Sequence, residues 1–299
     1  MLISSPSKPC AFAGSLALSL MAGPALAGTL IQTVNSAGTS TAWNAAIWGS
    51  PAAVPTNAND YVTAAGLAST SSTFLGTGTD VTGRVRAYSG SASFAGNSLT
   101  VVPSTEVLIK STGTTYSTNC TMNGGVLRFA PDSAGAATLT GSIAVASNST
   151  LGLVQSAVST FTIGSTITGS GTLRLAAGQN NSNVIKFDDG AGTSLNGFNG
   201  VFEIGGGSSA VVVTFSQPYN MTGVSMTMGT KLTTDVLALN ANIAVNAFTF
   251  GSTVLAPGTY TVAALNASYG TGSQFTGSGT LTVGINLDSD NDGLPDAFE

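Results

Sequence analysis

Carboxylates crowd the end of this chain. Asp288, Asp290, Asp292, Asp296 and Glu299 follow one another closely there, with Gly293 between them. Calcium is a hard cation that takes six to eight oxygens, and a 12-residue loop supplies them from positions 1, 3, 5, 7, 9 and 12, with Gly at 6 for the sharp turn. Counted from Asp288, those positions are Asp288, Asp290, Asp292, the Leu294 carbonyl, Asp296 and Glu299. The spacing predicts a Ca²⁺ site. An acidic solvated tail would not require the glycine or the final glutamate. Pro295 stands where such a loop normally has a branched aliphatic residue, and no helical pattern flanks the segment. A weak site is therefore expected, in the range of extracellular modules, roughly 10⁻⁴ to 10⁻³ M.

Elsewhere the residues that do chemistry are sparse. The chain has no histidine, which removes Ser-His-Asp and Cys-His catalysis and His-ligated zinc. Lys186 and Asp188 share a strand face at i, i+2, with Asp189 beside them and Glu203 expected one coil on. Arg84 and Arg86 form a second i, i+2 pair. A lyase would use a Lys or Arg base with Ca²⁺-binding carboxylates and a hydrolase would use paired carboxylates, so these are the candidates for a polysaccharide-cleaving site. Their simpler reading is ordinary exposed charge, and no catalytic residue is assigned. Runs of Thr-x-Thr at 138–140, 160–162, 166–168 and 280–282 raise an ice-binding face, but their spacings do not match one coil height. Cys10 lies in the N-terminal segment and leaves Cys120 alone, so no disulfide is expected within the mature chain. Cys120 reads as a small buried hydrophobe.

The elements that must position these residues are short strands. In Thr160 to Gly178 small polar and aliphatic residues take turns, broken by Gly164, Gly169, Gly171 and Gly178. Period-two alternation with Gly, Ser and Thr at the bends is the signature of half-buried β-strands, and the same texture runs from about Ser98 to Val283. Gly recurs at 113, 141, 169, 197, 223, 251 and 277, often after Thr. That series suggests a repeat of about 27 residues, within the range of solenoid coils. The fold expected is all-β, a parallel β-helix over residues 64–286. A β-sandwich is the alternative, because Asn123-Gly124, Asn196-Gly197 and Asn199-Gly200 are hairpin-type dipeptides. No sustained helical pattern is read anywhere; residues 259–264 read as strand.

Residues 1–27 read as a signal peptide, with Lys8, an apolar run from Ala11 to Met21 and Ala25-Leu26-Ala27 before Gly28. The apolar run is shorter than the ~20 residues a spanning helix requires, so export without a membrane span is expected. Charged residues are only 7% of the chain against 42% hydrophobic, far below the usual ~25% charged. The surface must be finished in Thr, Ser, Asn and Gly, which suits an extracellular sheet protein. The net charge of −5 is concentrated in the C-terminal segment. The nearly neutral body lacks the basic footprint that nucleic-acid binding demands.

Residues 28–63 hold both tryptophans, Trp43 and Trp48, and read as a cap over the open apolar end of the stack. The run TAWNAAIWGSPAAVPTNANDYV, from Thr41 to Val62, is similar to the opening of bacterial autotransporter-associated β-strand repeat proteins. Phe250 to Gly284 (FGSTVLAPGTYTVAALNASYGTGSQFTGSGTLTVG) resembles the end of one such repeat, and Leu195 to Gly207 (LNGFNGVFEIGGG) an internal coil. The resemblance implies a right-handed parallel β-helix and a passenger-like, non-catalytic, adhesin-like or structural protein at or beyond the bacterial cell surface. Its expected partners are surface polysaccharides or other extracellular proteins. Residues 287–299 look like the Asp-rich calcium-binding segments similar to thrombospondin type 3 repeats and EF-hand-like loops. More sequence usually follows these, so the chain is expected to be part of a longer one. A polysaccharide lyase or glycoside hydrolase on the same scaffold is the alternative function.

Overall fold

The structure is a computed structural model, and it describes residues 28–36, 42–67, 81–229, 234–269 and 273–284. Residues 1–27 and the carboxylate-rich segment 285–299 lie outside the described residues, and with them the signal-peptide and calcium-loop expectations. Nearly all regular structure is β, in one sheet of 12 strands and one of 11. The chain visits them in turn. Ser98–Val101, Thr114–Met122, Ala136–Val145, Thr160–Ile163, Asn183–Phe187, Val211–Phe215 and Val236–Leu239 belong to the first sheet. Thr105–Ile109, Val126–Phe129, Ser149–Val154, Thr172–Gly178, Val201–Ile204, Tyr219–Met228 and Ile243–Phe250, which alternate with them along the chain, belong to the second.

Each of these strands pairs in parallel with its counterparts one coil before and one coil after, so the fold is a parallel β-solenoid. A sandwich would join consecutive strands as antiparallel hairpins. Among the described residues antiparallel strand pairs appear only late in the chain, where Thr253–Val254 folds back on Ile243–Phe250 and Gly258–Thr261 lies against Thr280–Val283. Among the described residues no helix is long and apolar enough to cross a membrane.

The alternation explains the core. Inward residues of successive coils stack into columns: Val85, Val107, Leu127, Leu151, Leu175 and Ile204 in the second sheet, and Tyr116, Leu139, Ile163, Phe187, Phe215 and Leu239 in the first. All of them are buried within one apolar cluster that runs from Trp43 to Val283. Each such side chain is worth about 1.5–3 kcal/mol of burial. No coil can collect that alone, which is why the units stack. Cys120 sits in another column between Leu99 and Ile143, and burial pushes its thiol up to about 12. It behaves as a buried hydrophobe.

At the N-terminal end, the backbone around Ala42 and Trp43 adds to the edge strand Gly83–Ala87. Trp43 and Trp48 are fully buried there against Tyr61, Phe94 and Tyr116, with ring centroids 5.2–6.2 Å apart.

Two expectations need correction. The glycine interval is not the coil length. Ala136, Thr160 and Val184 stand in register on successive coils, which makes each of those windings shorter than the glycine spacing. Nor is the length constant: one coil takes only the chain from Glu106 to Val126, and another the much longer stretch from Leu237 to Phe275. Five of the seven glycines, at 113, 141, 169, 251 and 277, take the positive φ of tight bends while Gly197 and Gly223 do not, and the series does not measure coil height. Gly141 and Gly169 both have positive φ, and a Cβ there would collide with the backbone oxygens of Thr118 and Val145 respectively. Leu139 pairs with Ile163 and Ser142 with Thr166, so Gly141 and Gly169 occupy different points of the winding. Secondly, the strand expected over residues 259–264 ends early: Gly258–Thr261 is strand, but residues 262–264 open the helix Val262–Ser268. Thr261 caps it by accepting a hydrogen bond from the Ala264 N–H, and Leu265 is buried beneath it. A short Ala-rich turn with one anchored leucine gives too little periodicity to stand out in the sequence.

Candidate functional site

All four arginines of the chain lie on strands of the second sheet, at positions that point outward. They alternate with inward residues such as Val85, Val107, Leu127 and Leu173, and the register then decides which charges meet. One outer column reads Arg84, Glu106, Val126, Thr150, Arg174, Glu203. The next reads Arg86, Leu108, Arg128, Gly152, Ala176.

At one end Glu106 is gripped from two sides, by Nε of Arg84 and by Nη2 of Arg128 at 2.6 Å. Glu106 is 1% exposed and Arg128 4%. Burial pulls the Arg128 guanidinium below its ordinary value, Glu106 opposes this, and Arg84 adds repulsion. Arginine nonetheless stays protonated. Arg86 reaches the Tyr88 hydroxyl at 3.4 Å. Farther along, Arg174 contacts Glu203 at 3.3 Å with both side chains partly exposed. Between the two clusters the short Val126 and Thr150 leave a depression of about 250 Å³.

The candidates from the sequence are distributed differently from expectation. Lys186 and Asp188 do meet, at 2.6 Å, on the outer face of the first sheet. The Lys186 ammonium holds the Asp188 carboxyl below the usual carboxylate range, with help from Gln217 and the Gly190 backbone against the opposing effect of burial. Glu203 is not with them: it lies in the second sheet, paired to Arg174. Arg84 and Arg86 do share a face, as their spacing requires.

Asp189 organises a loop. Its carboxylate accepts from the N–H groups of Ala191, Gly192, Thr193 and Ser194 at 2.7–3.2 Å, and from the Tyr219 hydroxyl at 3.1 Å. Burial acts to raise its pKa, but the four amides outweigh that and hold it far below the usual carboxylate range. Burial first, and then the Asp189 charge, push the Tyr219 phenol up to about 12. Such a carboxylate is an acceptor locked in place, not a proton shuttle.

Asp189→Asn should therefore cost about 1–2 kcal/mol at pH 7, the lower part of the range for hydrogen bonds to charged groups because the site is partly exposed. A carboxyl whose folded pKa is depressed contributes stability that is present above its unfolded value of 3.8 and is lost as pH falls toward the folded one. Urea titrations at pH 7 and pH 3 should show the gap between wild type and variant narrowing in acid. A gap of constant size would mean that the charge is not what matters.

The Thr-x-Thr runs stack only in part. Thr138 lies between Thr115 and Thr162, but the ladder then meets Lys186. Thr166 and Thr168 pair with Ser142 and Ala144, and Thr280–Val283 belongs to the other sheet.

Sequence reasoning missed Glu106, Arg128 and Arg174. Each sits on a short strand whose alternation is legible, but the partners come together only through the true coil lengths, which place Arg84 beside Glu106 and Arg174 beside Glu203. Compared with protein-family models, with curated proteins and with solved structures, the chain finds no match.

Proposed function

We propose that this chain is an exported, non-catalytic rod of the bacterial cell surface or extracellular matrix, structural or adhesin-like, akin to autotransporter-associated repeat proteins. One observation supports it above others: a single core is wound continuously through every coil, so that the molecule is stiff along its axis and repetitive on its outside. Ten strands follow one another along the main path of the first sheet, which at ~4.8 Å per strand is roughly 43 Å. The neutral, Thr/Ser/Asn-rich exterior suits contact with surface polysaccharide or other extracellular proteins. The segment from Asp288 to Glu299 serves in this reading as a calcium-stiffened joint, with Asp288, Asp290, Asp292, Leu294, Asp296 and Glu299 as ligands.

Four measurements on the expressed chain test the reading together. Fractionation should find it outside the cytoplasm with its N-terminus at Gly28. Solution scattering should give an elongated particle, and calcium titration a Kd of roughly 10⁻⁴ to 10⁻³ M that is lost in Asp290→Asn/Asp292→Asn. Incubation with pectate or alginate plus Ca²⁺ should yield no turnover. Cleavage abolished by Lys186→Ala or Asp188→Ala would replace the rod with a polysaccharide-degrading enzyme.

A further inference from the structure

The depression on the outer face of the second sheet arises from a change in side-chain length along one column. Glu106 on one side and Arg174 on the other are long, and Val126 and Thr150 between them are short. The result is a floor two coils wide, lined by Gly124, Val126, Asn148, Thr150, Arg174 and Glu203, with the Arg174–Glu203 pair as its one charged wall. Its volume, about 250 Å³, is that of a small ring, not of a protein segment.

The two ion-pair clusters of the column differ in what they can offer. Glu106 is closed off between Arg84 and Arg128. Arg174 and Glu203 are held loosely: both guanidinium contacts, from Nε and Nη2, run 3.3 Å to Oε2 of Glu203, long for a charge-assisted bond, which is normally about 2.7–2.9 Å. Oε1 of Glu203 takes no part in that contact, and the two side chains are 27% and 18% exposed. The Nη end of the Arg174 guanidinium and the Glu203 carboxylate therefore stand side by side above a floor of Val126 and Thr150, with Asn148 also lining the depression.

We propose that this depression binds a neutral, hydroxyl-rich saccharide. Adjacent sugar hydroxyls each donate and accept, so one can donate to Glu203 while its neighbour accepts from Arg174. The less polar face of the ring lies over Val126. Charge selects against the alternatives. The Arg174–Glu203 pair sums to zero, so an anionic ligand meets the Glu203 carboxylate and a cation meets Arg174. The proposal deepens the adhesive reading above, and rests on it, by giving the rod something to hold.

The test is a titration of the isotopically labelled mature chain with neutral tetrasaccharides of glucose, mannose, galactose and N-acetylglucosamine, and with tetragalacturonate as the charged comparison. At least one neutral probe should bind with a Kd of about 1 mM, which corresponds to roughly −4 kcal/mol, and should shift resonances at 124–126, 148–150, 172–174 and 203. Asn148→Ala and Arg174→Gln should each weaken binding about tenfold. Thr150→Val, which keeps the volume of the floor, should weaken it without altering the fold. Raising salt from about 50 to 500 mM should change the affinity less than about twofold, because screening acts on charge–charge attraction.

No binding by any neutral probe, shifts elsewhere on the chain, or tighter, salt-sensitive binding of tetragalacturonate would each overturn the proposal. A failure here leaves the rod reading standing, because scattering and fractionation report on that independently.

Discussion

Glu106→Gln is expected to destabilise the protein by about 3–5 kcal/mol, the usual cost of removing one partner from a buried ion pair. The substitution keeps the shape of the side chain and removes only its charge. Arg84 and Arg128 would then face each other across a nearly inaccessible site, with side-chain exposures of 15% and 5% and no carboxylate between them. The cost of a stranded charge exceeds the value of the pair itself, because desolvating an ion is expensive whether or not it has a partner. Glu203→Gln is the comparison within the same column. Its pair with Arg174 is partly exposed, so about 1 kcal/mol or less is expected. Urea denaturation of the two variants should separate them clearly; equal losses would show that the Glu106 cluster is not dehydrated. Coils contact only their neighbours, so the damage should be local at first. Amide hydrogen exchange should rise earliest in Gly83–Ala87, Thr105–Ile109 and Val126–Phe129, the strands that carry Arg84, Glu106 and Arg128.

Phe187→Ala should cost a similar amount, about 3–5 kcal/mol, for a different reason. Phe187 is fully buried in the middle of the stack, 5.0 Å from Phe215 with the rings 10° from parallel, and 5.4 Å from Phe202 of the opposite sheet. Truncation removes the transfer energy of the ring and leaves a cavity that rigid coils above and below cannot close. Thr162→Ala, at an outward position on the adjoining strand, should stay within about 0.5 kcal/mol. Thermal unfolding of both variants reads the difference. Were Phe187→Ala no worse than Thr162→Ala, the claim that the core column holds the stack together would fail.

The rod and its surface were unequally legible in the sequence. Alternation in TFTI, TLRL and VFEI names Phe161, Leu173 and Phe202 as inward and Thr160, Arg174 and Glu203 as outward, and the fold agrees at every one of these positions. The corners were legible too, since only glycine tolerates the backbone approach found at Gly141 and Gly169. Their spacing misled because a corner can fall anywhere along a winding.

Which strands are strands, and which side of each faces in, follows from steric preferences between residues two apart, and the chain carries that information in every short segment. Which charges meet across coils does not. A loop can stretch a coil from the short winding between Glu106 and Val126 to the long one between Leu237 and Phe275 without disturbing the alternation of a single strand. The partners of Glu106 and Glu203 therefore depend on how much chain each coil takes up. Only the stacked structure settles that: it draws Arg84 and Arg128 onto Glu106 and gives Glu203 to Arg174, away from the Lys186–Asp188 pair, whose i, i+2 spacing was legible within one segment.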